Sequence, residues 1–193
     1  MTDYKFFSFI FIGDTHGFLD DFKKQKEIIE QVKPDFVLSE QLQDKILDSE
    51  QKYNNIIRTK FISNMTKFEE VKDLILLCQK LKIKLIGMDL FNFGFDTRMQ
   101  EVVNGLKQAT KEDEKLFESI LKKRQDKHKD VISKYQKLSD KPIIIILGSW
   151  HLRDDSEIMR KLNSYLVVYP CKDGELILEP TSGKIDYCEK IKK

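Results

Sequence analysis

Apolar β-branched runs alternate with amphipathic helical stretches along the whole chain, which predicts an α/β protein. The expected form is one domain over residues 1–193, a mainly parallel central sheet flanked by helices. Two of the apolar runs end alike. Phe6 to Ile12 leads into Gly13-Asp14-Thr15-His16-Gly17, and Ile143 to Leu147 leads into Gly148-Ser149-Trp150-His151. Each run has the composition of a strand buried on both faces. Each is followed by a glycine and, three residues later, by one of the chain's 3 histidines. Ligands of open parallel sheets sit outside the carboxyl ends of the strands. The two elbows therefore aim two imidazoles at one crevice.

The other elements follow in order. Residues 19–32 read as a helix with Phe22, Ile28, Ile29 and Val32 on its apolar side, closed by Pro34. Asp35 to Ser39 is a short strand reaching Glu40. Residues 41–66 read as two helices with a polar break. Thr66-Lys67-Phe68-Glu69 has the capping-box pattern and opens a helix carrying Val71, Leu74, Ile75, Cys78 and Leu81. Lys84 to Asp89 is a strand that again reaches a carboxylate. After a loop over 91–97 comes a short helix over 98–108. A second capping-box pattern at Thr110-Lys111-Glu112-Asp113 opens a long helix running to Leu138. Pro142 begins the strand of the second elbow, and a helix over 153–163 follows it. Tyr165 to Tyr169 is a further strand, and Glu175 to Leu178 a terminal one, joined as a hairpin across Asp173-Gly174.

The bulk composition excludes several classes. Charged residues are 34% and hydrophobic ones 40%, as in a globular protein with a heavily charged surface. The formal net charge of +2 is a weak footprint for a nucleic-acid partner, and the dense basic cluster is Lys190-Ile191-Lys192-Lys193. No stretch approaches a membrane span, and the N-terminal run lacks the flanks of a signal peptide, so no membrane partner and a cytoplasmic location are expected. Cys78, Cys171 and Cys188 are odd in number and widely spaced, so free thiols are the default, with Cys78 packed in a helix. A Cys171–Cys188 bridge is the alternative.

Four strand ends carry polar groups: Asp14 with His16, Glu40, Asp89, and His151. Imidazoles with carboxylates suit a divalent metal such as zinc, manganese or iron(II), and without a metal the same groups suit general acid–base catalysis. A histidine beside a turn is also readily satisfied by a backbone group. On the long helix, Leu116, Phe117, Ile120, Leu121, Val131, Ile132, Tyr135 and Leu138 form an apolar stripe with a helical period. Arg124 and His128 fall within it. A guanidinium on a core-facing stripe needs a carboxylate or a bound anion, and Glu40 and Asp89 are the natural partners. The plainer arrangement is an arginine that snorkels out at the stripe's edge.

Gly13-Asp14-Thr15-His16-Gly17 resembles the first motif of the calcineurin-like metallophosphoesterases, but the later motifs that complete their two-metal site are absent. A strand with Gly-x-x-His, a strand ending in Glu, a helix with Arg and a strand with Gly-x-x-His-Leu resemble instead the TraB/PrgY and Tiki superfamily. ChaN-like haem-binding proteins and erythromycin-esterase-like hydrolases are its relatives. Lys123-Arg124-Gln125-Asp126-Lys127-His128-Lys129-Asp130-Val131-Ile132 looks like that family's Glu-Arg-Asn/Asp-x-x-Met-x-x-x-Ile segment, with Lys123 in place of Glu and His128 in place of Met. Ile143 to Leu152 looks like its last strand and elbow. The resemblance implies a cleft at the carboxyl edge of the sheet and a hydrolase acting on a peptide or ester bond. Metal or catalytic residues would be His16, Glu40 and His151, with Arg124 orienting Glu40 or stabilising an oxyanion. Asp14, Asp89 and His128 would stand behind them. The alternative is a protein that binds haem, metal or a small ligand without turnover, or a regulatory module.

Overall fold

The computed structural model describes residues 2–15, 19–59, 69–160, 162, 164–178 and 185–192. Eight strands form one mixed, mainly parallel sheet: β1 (Phe9–Asp14), β2 (Phe36–Ser39), β3 (Ile46–Leu47), β4 (Lys84–Gly87), β5 (Ile143–Gly148), β6 (Tyr165–Lys172), β7 (Glu175–Leu176) and β8 (Asp186–Lys192). Their order is β3-β4-β2-β5-β1-β6-β7, with β8 also paired to β6. The inner pairs β4/β2, β2/β5, β5/β1 and β1/β6 are parallel, and β3, β7 and β8 join antiparallel at the margins. The expected α/β class and mainly parallel sheet are what the chain forms.

Strand alternation sorts the core into two layers. Ile10, Ile12, Val37, Ile144 and Ile146 face one side, against α1 (Leu19–Val32), α2 (Glu50–Arg58) and α3 (Glu69–Leu81). Phe9, Phe11, Leu38, Ile143 and Ile145 face the other, against α5 (Lys111–Gln136) and the short α6 (Glu157–Arg160). Between these, α4 (Thr97–Val103) is capped by the Asp96 side chain, which accepts from the Met99 amide. α5 opens with the expected capping box between Thr110 and Asp113. From β1 the chain crosses by α1 to β2, and from β5 it crosses the opposite face to β6 on the far side of β1. That is a topological switch point, and the crevice opens there at the carboxyl ends.

Several boundaries differ from the sequence reading. The first strand starts at Phe9, because Tyr4–Phe6 wind into a 3-10 turn capped by Asp3, so Gly13 and Asp14 belong to the strand. Residues 41–66 do not begin as a helix. Glu40–Leu42 form a 3-10 turn, β3 follows, and α2 starts at Glu50 behind the Ser49 cap. Residues 60–68, including Thr66 of the proposed cap, lie outside the described residues. A 3-10 turn, Ser149–Leu152, follows β5, and of the helix expected over 153–163 the described residues show α6, Glu157–Arg160, with residues 161 and 163 outside them. Leu116 and Leu138 of the long-helix stripe are exposed at its two ends.

The strand β8 escaped the sequence reading because its residues are polar on both faces, as suits a charged sheet edge. Its pairing also decides the cysteines. Cys171 lies opposite Asp186 and Cys188 opposite Tyr169, which brings the two Cα atoms to 5.9 Å, and they form a disulfide rather than the free thiols expected. Cys78 is a buried thiol pushed up to about 12 by desolvation. Among the described residues no helix is long and apolar enough to cross a membrane.

One close approach helps place the site. A Cβ on Gly87 would lie 2.2 Å from the Gln43 carbonyl oxygen, which accepts from the Asp89 amide at 3.0 Å. Gly87→Ala should therefore push the 43–45 segment off β4 and destabilise the fold by about 1–3 kcal/mol. A thermal melt against wild type measures it.

Candidate functional site

β2, β5 and β1 are neighbours and parallel, so their carboxyl ends coincide. Glu40 follows β2 directly, and its buried carboxylate crosses to β5, where the Gly148 amide donates to Oε2 at 3.0 Å. The 3-10 turn after β5 then brings His151 Nε2 to 3.7 Å from the same oxygen. Asp14 ends β1 in register with Gly148. Its Oδ2 accepts from Gln41 Nε2 at 2.8 Å, and its carbonyl from Ser149 Oγ at 3.3 Å.

Asp89, fully buried just beyond β4, meets the long helix. Arg124 grips it with Nε at 3.0 and 2.9 Å from the two oxygens and Nη2 at 2.6 Å. Arg124 Nη2 also lies 3.9 Å from Glu40 Oε1, so Asp89 is its close partner and Glu40 its distant one. One turn along α5, the fully buried His128 puts Nε2 3.2 Å from Asp89 Oδ2, without the alignment of a hydrogen bond. The His128 and His151 rings meet edge to face, with centroids 5.3 Å apart. The spacing of four that places Arg124 and His128 on one helix face thus carries both to one carboxylate.

Of these groups Glu40, Gln41, Arg124, Gly148 and His151 form the floor of a cleft of about 520 Å³, with Asp89 and His128 buried behind it. Its walls are apolar and mostly aromatic: Phe93, Phe95, Phe117, Leu121 and Trp150. Phe95 and Phe117 stack, with centroids 5.9 Å apart and planes 18° from parallel. Phe93 lies 5.0 Å over the Arg124 guanidinium. Phe93 and the preceding Asn92 have φ of 55° and 48°, a left-handed backbone that is costly for a bulky side chain. The Asn92 amide donates to Gln43 Oε1 at 2.9 Å, which helps hold this turn.

Glu40, Asp89, Arg124, His128 and His151 are therefore brought together, with Asp14 beside them through Gln41. His16 lies outside the described residues. Among the described residues, no group of three or more His, Cys, Asp or Glu is placed to hold a metal ion. Sequence reasoning missed Gln41 and the aromatic walls. Phe117 and Leu121 were legible as a four-residue step on the α5 stripe, but the stripe read as core.

Two groups have shifted acidity. Burial opposes the charge on Asp89, yet the His128 and Arg124 contacts outweigh it and hold the carboxyl below its ordinary value of 3.8. Burial is the main influence on His151 and lowers it from 6.5. Glu40 pulls the other way, and the positive Arg124 adds to the lowering. His151 is therefore a neutral imidazole at pH 7. As pH falls below 6.5 the unfolded chain takes up a proton that folded His151 resists, so stability declines through that window. Asp89 adds a later loss, beginning near its ordinary 3.8 and ending below its folded value. Urea unfolding from about pH 7.5 to about pH 5 should show the first decline, and His151→Gln should flatten it.

No family model matches this chain, and no curated protein does. Among solved structures it is similar to one described as cofacial haem binding to ChaN of Campylobacter jejuni. The two are 16% identical with a TM-score of 0.48, over 97% of this chain and 89% of that one.

Proposed function

We propose that the cleft binds a small, largely planar and apolar ligand whose polar end reaches the Glu40, Arg124 and His151 floor, and that the protein acts as a binding protein. The carrying observation is the aromatic-walled cleft of about 520 Å³ ending on a buried imidazole and a guanidinium. Apolar walls with a few convergent polar groups are the usual make-up of a small-molecule site. Haem fits this donor set. His151 is neutral and lines the cleft, which makes its imidazole a suitable iron ligand. Phe93, Phe95 and Trp150 would take the macrocycle, and Arg124 a propionate. Bound haem would supply an iron centre for ligand or electron exchange. ChaN, described as binding haem, is the similar structure named above.

Haemin titrated into the protein should give a saturable Soret band that His151→Ala shifts or abolishes. Trp150→Ala should weaken binding roughly fivefold, for the loss of about 1 kcal/mol of aromatic contact. A Soret change identical in wild type and His151→Ala would remove His151 as the iron ligand, and the absence of a saturable Soret change would remove haem as the ligand.

A second reading, a hydrolase, is favoured by one specific arrangement. A neutral imidazole lies 3.7 Å from a buried carboxylate and beside a guanidinium, as a base with its orienter and an electrophile would. In that role His151 would take a proton from water, Glu40 would hold the imidazole, and Arg124 would steady the charge developing on a carbonyl oxygen. The sequence resemblance to the TraB and Tiki superfamily points the same way, towards a peptide or ester bond. A divalent metal would need His16 as a third donor beside Glu40 and His151. Hydrolysis of p-nitrophenyl butyrate should then fall by roughly 100-fold or more in both His151→Ala and Glu40→Gln. Equal rates in the variants and wild type would leave the binding reading alone.

A further inference from the structure

Lys190, Ile191 and Lys192 of the basic run lie in β8, where successive side chains point to opposite faces. Lys190 and Lys192 therefore share a face, and Ile191 takes the other. Their partners across the pairing are Val167 and Tyr165 of β6. That face carries a second cavity, of about 200 Å³, which shares no lining residue with the cleft.

Its floor is apolar, built from Leu152, Met159, Tyr165 and Val167, all buried. Its rim is not. Arg153, Lys190 and Lys192 line it against the single carboxylate of Asp154. Lys190 Nζ binds Asp154 at 2.7 and 2.8 Å. Lys192 Nζ turns over the Tyr165 ring, 5.7 Å from its centroid, and donates one of its three protons to the Met159 carbonyl at 3.2 Å. Arg153 lies 4.2 Å over the Trp150 ring, and Trp150 lines the cleft and meets the His151 ring edge to face. Arg153 Nε also lies 3.2 Å from Asp155 Oδ1, so three cations against two carboxylates leave a surplus of one positive charge around an apolar hollow.

We infer that this hollow is a second ligand site, for a small amphiphilic anion with a compact apolar body and one carboxylate. The body replaces water over Tyr165 and Val167, and the carboxylate takes the surplus charge of Lys190, Lys192 and Arg153. Arg153 stands between the occupant and Trp150, so a wall residue of the hollow touches a wall residue of the cleft. Trp150 is the chain's one tryptophan, which makes its fluorescence a local reporter.

Octanoate is the probe, titrated by calorimetry and by Trp150 fluorescence. Wild type should bind one octanoate with a change in Trp150 emission, and uncharged octanol at least roughly tenfold more weakly. Lys190→Ala/Lys192→Ala changes exposed side chains and should weaken octanoate at least roughly tenfold. His151→Ala, altered only in the cleft, should bind octanoate as wild type does. The inference is overturned by the absence of saturable octanoate binding, by equal affinity for octanol, or by equal affinity in the lysine variant. Loss of binding in His151→Ala with retention in the lysine variant would place the anion in the cleft and overturn it as well.

Discussion

A carboxylate with no exposure at all sits just past the end of β4, and Arg124 makes it tolerable. Burying the Asp89 charge alone would cost several kcal/mol, far more than a marginally stable domain can lose. The bidentate grip of Arg124, with His128 close behind, offsets that cost. Such a pair adds little net stability over an apolar substitute. Its consequence is geometric: α5 can rotate or slide against the sheet only by stripping Asp89 of its partners. The position of the long helix, and with it Phe117 and Leu121 of the cleft wall, is thereby tied to the end of β4.

The rest of the site follows from that anchor. With Arg124 fixed, Phe93 has a guanidinium face to stack on, and this contact helps offset the left-handed backbone at Asn92 and Phe93. Glu40 is turned towards β5 by the Gly148 amide, so its charge is held between a main-chain donor and His151. The low-dielectric setting keeps His151 neutral and able to accept a proton or a metal ion. A polar floor under aromatic walls has the make-up of a small-molecule site, which is the ground of the proposed function.

Local sequence patterns carried much of this. Strand runs such as Ile143 to Ile146 are so uniformly β-branched that a buried strand is the element they suit best. Arg124 on an apolar stripe called for a carboxylate or a bound anion unless it snorkelled out, and Asp89 stood among the two carboxylates named. The choice between Asp89 and Glu40 was not legible, since each ends a strand in the same way and only the order of strands decides which lies under α5. The aromatic wall was illegible for a related reason. Phe93 and Phe95 lie far from Phe117 and Trp150 in sequence, and a phenylalanine on a helix stripe, as Phe117 is, looks the same whether it fills a core or lines a cleft.

By itself the sequence determined the alternation of strands and helices, the turn after β5, and the polar groups Asp14, Glu40 and Asp89 at strand ends. These depend on periodicity and on turn chemistry within a few residues, which are local properties of a chain. The tertiary structure alone decided that β5 inserts between β2 and β1, bringing Glu40 to Gly148 and His151 across 108 residues or more. It alone decided that β8 closes the edge, joining Cys171 to Cys188 and setting Lys190 and Lys192 over an apolar hollow. Strand order and edge pairing are fixed by burial summed over the whole sheet and by helix packing, and no local pattern encodes that sum.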